Sequence, residues 1–127
     1  MDRKDLAAEL KKSSNCCQAV LLAFGMETGL DNEMLYKIGA AFGSGMGNTE
    51  GNCGALVGAE AVLGLMKYQY KGMHSEASAL YDEFKCLCGS TICKELKGVE
   101  SGTPLCSCEN CVRNAVAALE SVTGEIY

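Results

Sequence analysis

The stretch that most constrains this chain runs from Cys53 to Met66, fourteen residues that carry a single charge, Glu60. A surface helix has a polar face, whereas this run is apolar on every side, so it predicts a helix enclosed by other helices. Asn52 is a preferred N-cap residue, and we expect it to begin this helix and to place Cys53 in the first turn. There the unpaired N–H groups and the helix dipole would stabilise a thiolate.

The rest of the chain predicts further helices and no strand. Apolar residues recur at helical spacing before and after the central run, and the alternating pattern typical of strands is absent. Residues 15–24 and 32–42 are two such segments. The six glycines from Gly39 to Gly54 predict a loop that leads into the central helix. Thr103-Pro104 favours the start of a last helix that continues to the C-terminus, because proline is best tolerated in the first turn. We therefore expect an all-α fold, a compact bundle of about six helices around a central buried helix that starts near Cys53.

Length and charge exclude several classes of protein. A chain of 127 residues, 48% of them hydrophobic and without a long linker, predicts one domain over residues 1–127. The net charge of −5 argues against nucleic acid as a partner, because phosphate binding needs clustered Lys and Arg. No secretory apolar segment and no apolar run of membrane-spanning length is present, so we expect a cytoplasmic protein with no membrane partner.

Cysteine is the compositional feature that points to chemistry. The chain has nine cysteines, an odd number, and its core needs no disulfides to be stable. In a reducing compartment such cysteines bind metals or act in redox reactions more often than they form structural bridges. Four of them, Cys16, Cys53, Cys93 and Cys108, lie near the starts of four different predicted helices. Their wide separation is unlike the paired ligands of a zinc finger, and a bundle can bring them together at one end.

Four motifs follow one another along the chain in an order that suggests a family. They are Asn15-Cys16-x-Gln18-Ala19-Val20, Cys53-Gly54-Ala55-x-x-Gly58-Ala59, Gly89-Ser90-x-x-Cys93-x-x-Leu96-x-Gly98 and Cys108-x-x-x-Val112-Arg113-x-Ala115. With them the chain resembles the C_GCAxxG_C_C family of redox-active proteins over residues 15–119. The resemblance implies that the family's four cysteines are Cys16, Cys53, Cys93 and Cys108, with Cys111 as an alternative to Cys108. A similar domain accompanies haem domains in certain cytochromes, where four sulfurs hold an iron–sulfur cluster. The C-x-x-C-H haem-attachment motif is absent here, so no haem is implied.

Two kinds of sulfur chemistry fit these four cysteines. Four thiolates around one point would bind an iron–sulfur cluster or another metal for electron transfer with a redox partner protein. Two thiols in contact would instead cycle between dithiol and disulfide without a metal. A third interpretation is a module that senses metal or redox state without turnover. The sequence leaves these alternatives open because the distances between the sulfurs are tertiary, and it indicates neither an enzyme nor an oligomeric state.

Five further cysteines depart from the family pattern: Cys17, Cys86, Cys88, Cys106 and Cys111. Cys86-x-Cys88 and Cys106-x-Cys108-x-x-Cys111 are dense enough to suggest a second set of ligands or a resolving thiol. Free cysteines are also common as small apolar residues in protein cores, and this interpretation suits Cys17 and Cys86 best.

Overall fold

The structure is a computed structural model that describes residues 1–124, and helices are the regular elements of this part of the chain. This confirms the predicted all-α fold. In chain order the helical segments are α1 (Arg3–Lys11), α2 (Cys16–Ala23), α3 (Gly25–Thr28), α4 (Asn32–Gly39), α5 (Gly43–Met46), α6 (Gly54–Lys67), α7 (His74–Cys88), α8 (Cys93–Lys97) and α9 (Cys108–Thr123). The segments outnumber the six or so helices predicted because α3 and α5 are single turns. Ser44 and Gly45 within α5 have left-handed backbone angles, so α5 is an irregular turn.

Helix α6 lies at the centre of the bundle, as its apolar sequence predicts. It packs against α2, α7 and α9, while α1 covers α2 and α9. Its approach to α2 is close because Gly58 has no side chain: a Cβ there would lie 2.8 Å from the carbonyl oxygen of Cys17. The largest buried side chains around it include Phe24 and Phe84, which are fully enclosed. This core fixes the helices whose N-terminal ends carry the cysteines.

Side-chain caps define where two of the cysteine-bearing helices begin. The Asn15 side chain accepts a hydrogen bond from the Gln18 N–H at 2.8 Å, and the Gln18 side chain accepts one from the Asn15 N–H at 3.0 Å. This capping box starts α2 at Cys16. The Ser107 hydroxyl oxygen likewise accepts a hydrogen bond from the Asn110 N–H at 3.1 Å and starts α9.

Two predicted helix starts are wrong. The last helix begins at Cys108 rather than at Thr103, because the N–H groups of Leu105 and Cys106 donate to the carbonyl oxygen of Leu96, at 3.0 and 3.3 Å. These bonds tie the segment before α9 to α8 in a non-helical path.

The central helix begins one residue later than expected. Cys53 itself occupies the N-cap position, because Asn52 is held in an antiparallel bridge with Ile92. Helix α4 also ends at Gly39, before the predicted residue 42. The predicted continuation of the last helix over residues 125–127 lies outside the described residues. Among residues 1–124, no helix combines the length and the apolar composition that crossing a membrane requires.

Candidate thiol site

A short backbone bridge brings the starts of α6 and α8 together. The Cys53 N–H donates to the Thr91 carbonyl oxygen at 2.7 Å, and the Cys93 N–H donates to the Gly51 carbonyl oxygen at 3.0 Å. Each of the two bonds fixes the residue that carries a cysteine side chain at its helix start. Two cysteines far apart in sequence are therefore neighbours at one end of the bundle.

The start of α2 is anchored to the same end. The Asn15 side-chain amide donates to the Gly39 carbonyl oxygen at 3.0 Å, which ties the capping box to the end of α4. Gly54, the first residue of α6, allows this close packing, since a Cβ there would lie 2.9 Å from the Phe42 carbonyl oxygen and 3.6 Å from the Cys16 Cβ. Cys16 therefore lies next to the first turn of α6.

The four predicted site cysteines line one cavity of about 80 Å³ at this end of the bundle. Its remaining lining comes from polar and cationic residues, two further cysteines, one glycine and one leucine. The complete lining is Lys11, Asn15, Cys16, Ser44, Cys53, Gly54, Cys93, Leu96, Lys97, Cys106, Cys108 and Cys111. The structure thus brings together the sulfur-bearing residues that the sequence places in four separate helices. Both Cys108 and its alternative, Cys111, reach the cavity.

Cys53 is the sulfur at which negative charge is most stable. Hydrogen bonding with the thiols of Cys111 and Cys16 lowers the pKa of Cys53 far below its ordinary value, and burial opposes this only in part. The backbone N–H groups of Ala55 and Leu56, in the first turn of α6, lower the pKa further. The helix start therefore acts as the sequence suggests, but the two neighbouring thiols contribute more.

The Cys16 thiol holds its proton more tightly than a free cysteine does. Hydrogen bonding with the thiols of Cys108 and Cys53, together with burial, raises the pKa of Cys16. The pKa of Cys108 is lowered to about 6, first by hydrogen bonding with Cys16 and also by the charges of Lys97 and Lys11. The pKa is thus raised at Cys16 and lowered at its two neighbours, Cys53 and Cys108.

A second group of sulfurs lies beside the first. Among residues 1–124, Cys88, Cys106 and Cys111 are the cysteines whose sulfurs form a group of three within 4.8 Å of one another. The Asn114 side-chain amide donates to the sulfur of Cys88 at 3.3 Å and to that of Cys106 at 3.7 Å. Cys106 and Cys111 also line the cavity, so the second group adjoins the first.

The family model described as Putative redox-active protein (C_GCAxxG_C_C) matches residues 14–122. The chain belongs to this family. No curated protein and no solved structure gives a significant match. This member of the family therefore combines the motif cysteines at one cavity with an additional cysteine group that can hold a metal ion.

The remaining two cysteines lie away from both groups. Cys17 is enclosed in the hydrophobic core, and burial raises the pKa of its thiol to about 12. Cys86 is exposed on α7. Neither lines the cavity. The predicted space-filling role fits Cys17, whereas it is wrong for Cys86, which is exposed and fills no part of the core.

Sequence reasoning missed three polar residues at this end of the bundle. Asn114 follows Cys111 by three residues on α9, so both side chains lie on one face of that helix, and this spacing is a signal that the sequence contained. Lys11 and Lys97 line the cavity, but they belong to α1 and α8 and carry no motif that would have singled them out.

Proposed function

We propose that this chain is an electron-transfer protein that binds an iron–sulfur cluster through Cys16, Cys53, Cys93 and Cys108. The observation that carries the proposal is that these four residues, from the starts of four helices, line a single cavity. Thiolates are the ligands by which proteins hold iron–sulfur clusters. When bound, the cluster would supply one-electron transfer, and the protein would exchange electrons with a redox partner protein.

The spacing of the sulfurs supports a cluster over a single ion at this cavity. Thiolates that bind one ion at about 2.3 Å lie roughly 4 Å from one another. Within the described residues, no three of these four sulfurs lie within 4.8 Å of one another. The ligands of a cluster bind different iron atoms, so they do not all have to converge on one point, which suits this arrangement better.

The surroundings of the cavity also suit a negatively charged group. The N–H groups of Ala55 and Leu56 face the Cys53 sulfur, and such hydrogen bonds tune the potential of a thiolate-bound cluster. Lys11 and Lys97 lower the pKa of Cys108 through their positive charge. The same two cations would offset part of the charge that four thiolates bring to the cavity.

The pairing of Cys16 with Cys53 favours a second candidate, a dithiol redox protein without a metal. Both residues line the cavity, and the Cys16 thiol lowers the pKa of Cys53, as expected for a resolving thiol beside an attacking thiolate. In this case the Cys53 thiolate attacks the disulfide of an oxidised partner protein, and one partner thiolate leaves. The Cys16 thiol gives its proton to this partner thiolate, and the resulting Cys16 thiolate attacks the Cys53 sulfur of the mixed disulfide. A Cys16–Cys53 disulfide forms, and the second partner sulfur leaves as a thiolate that takes a proton from water. The partner disulfide has then gained two electrons, and the two cysteines have lost them.

Anaerobic purification followed by iron, sulfide and thiol analysis separates the two candidates. The cluster predicts a coloured protein with stoichiometric iron and sulfide, lost in both Cys53→Ser and Cys93→Ser. The dithiol predicts a colourless protein that gains a Cys16–Cys53 disulfide on oxidation and whose redox chemistry survives Cys93→Ser. Cys17→Ser is the matched control, because Cys17 adjoins Cys16 in sequence but lies in the core. Equal losses in Cys53→Ser and Cys17→Ser would overturn the assignment of the site.

A further inference from the structure

Three cysteines outside the set Cys16, Cys53, Cys93 and Cys108 lie together at the edge of the cavity. We infer that Cys88, Cys106 and Cys111 form a separate site for a single thiophilic divalent metal ion, best matched by Zn²⁺. The three sulfurs lie within 4.8 Å of one another, and ions bound by thiolates at about 2.3 Å hold sulfurs roughly 4 Å apart. Small rotations of the three side chains are therefore enough to bring the sulfurs to the spacing that a single ion requires. The inference does not depend on the proposed iron–sulfur cluster.

The backbone holds the three cysteines in place from three different elements. Cys88 is the last residue of α7, which ends at Gly89 in the left-handed conformation. The Cys106 N–H donates to the Leu96 carbonyl oxygen at 3.3 Å, and the Cys111 N–H donates to the Ser107 carbonyl oxygen at 2.8 Å. The site is thus preformed by main-chain bonds and does not need to be assembled by the ion.

The surroundings of the three sulfurs are typical of metal ligands and not of cysteines that only fill space in a core. The Asn114 amide donates to two of the three sulfurs, at 3.3 Å to Cys88 and 3.7 Å to Cys106. Amide donors stabilise thiolate ligands and fix their orientation. Cys88 and Cys111 are buried and Cys106 is half-buried. Cys106 and Cys111 also line the cavity, which gives an ion a route to the site.

The donor set determines the kind of ion. Three sulfurs select soft ions such as Zn²⁺ and Cu⁺ over Mg²⁺, Ca²⁺ or Mn²⁺. Three thiolates leave a net charge of −1 with a divalent ion and −2 with a monovalent one, and a half-buried site disfavours the larger charge. Within the described residues, no His, Asp, Glu or further Cys lies within 4.8 Å of all three sulfurs. The fourth position that zinc requires is therefore open to water from the cavity.

The test is a metal titration of the reduced full-length protein under anaerobic conditions. Co²⁺ is the probe, because its sulfur charge-transfer absorption reports thiolate ligands, and Zn²⁺ then displaces it. We expect Cys88→Ser to lose one equivalent of Co²⁺ and Zn²⁺. Cys86→Ser, an exposed position two residues away on the same helix, is the matched control and should bind as the wild type does. Cys93→Ser should also retain this equivalent, because Cys93 belongs to the other group.

A variant that keeps every cysteine guards against loss of binding through misfolding. Asn114→Leu removes the amide donor, and we expect it to weaken Zn²⁺ binding by about 10- to 100-fold with an unchanged thiol count. Wild-type affinity in both Cys88→Ser and Asn114→Leu would overturn the inference. The iron and sulfide contents of the reconstituted Cys88→Ser variant distinguish this site from the cluster, and wild-type contents would support a separate site. Loss of iron and sulfide in this variant would assign Cys88 to the cluster and overturn the second site. Absence of iron from every protein, wild type included, would refute only the cluster.

Discussion

Replacement of Gly58 by Ala tests the packing that positions the whole site. Gly58 lies where α6 crosses α2, and an added Cβ would lie 2.8 Å from the carbonyl oxygen of Cys17 and 3.2 Å from the Cβ of Val20. The carbonyl oxygen belongs to a helix backbone and cannot rotate away, so the two helices must separate. Gly64 in the same helix is the matched control, because a Cβ there meets no atom within 4 Å.

The two substitutions are expected to have opposite signs. Replacing glycine by alanine inside a helix stabilises the fold by about 0.5–1 kcal/mol, which is the expected gain for Gly64→Ala. At Gly58 this gain is opposed by overpacking, which costs about 1–3 kcal/mol. We expect Gly58→Ala to lower the free energy of unfolding by about 1 kcal/mol, so the two variants should differ by about 2 kcal/mol.

Urea unfolding of both variants and the wild type under reducing conditions measures this difference. Separation of α2 from α6 should also move Cys16 away from Cys53 and raise the pKa of Cys53, because one of its two thiol donors is lost. The pH dependence of thiolate absorbance measures that shift. A Gly58→Ala variant as stable as Gly64→Ala, with the wild-type thiolate titration, would refute the close helix approach as the device that positions these sulfurs.

Three further predictions concern single positions. Burial raises the pKa of Glu60 from 4.5 to about 7, so the folded state binds this proton more tightly and stability falls as pH rises through that interval. Because Glu60 is half-buried and partly screened, we expect Glu60→Gln to raise the free energy of unfolding by about 1 kcal/mol over the wild type above pH 7. Below pH 4 the two proteins should be equally stable, and urea unfolding at both pH values measures the difference. In Gly45→Ala the new Cβ would lie 2.6 Å from the Cys93 Cβ, so iron binding should fall well below that of Gly47→Ala, which also has positive φ but meets no atom within 4 Å. Equal iron contents would contradict this. Ser107→Ala should lower the free energy of unfolding by about 1 kcal/mol through loss of the α9 cap, and an unchanged urea midpoint would exclude that role.

The sequence predicts those parts of the fold that local physics determines. A run without a polar face has to be buried, and α6 is buried. Asn15 followed by Gln18 at the third helical position forms the capping box that such a pair predicts. The sequence also places the motif cysteines near helix starts, but their meeting at one end of the bundle depends on tertiary packing.

The features that sequence reasoning missed depend on tertiary contacts. Asn52 was expected to cap α6 because its side chain suits that role, but its backbone pairs with Ile92 instead, forty residues away along the chain. Thr103 and Pro104 have the chemistry of a helix start, but Leu96 accepts the two hydrogen bonds that keep the segment after them non-helical. Local propensity was overridden in both places by backbone bonds to the segment around α8, which no local pattern encodes.

Cys111 is the residue at which the two sulfur groups meet. Its thiol has one proton, which it donates to the carbonyl oxygen of Cys106 at 3.8 Å, and its sulfur lies within 4.8 Å of that of Cys88. The same thiol lowers the pKa of Cys53. An ion bound to Cys111 would replace this proton, because only the thiolate is a ligand. Cys53 would then lose one of its two thiol donors but keep Cys16 and the N–H groups of α6. Occupancy of the second site would therefore alter the charge balance at Cys53 without removing any ligand from the cavity, so the two groups are separate in their ligands and coupled through one proton.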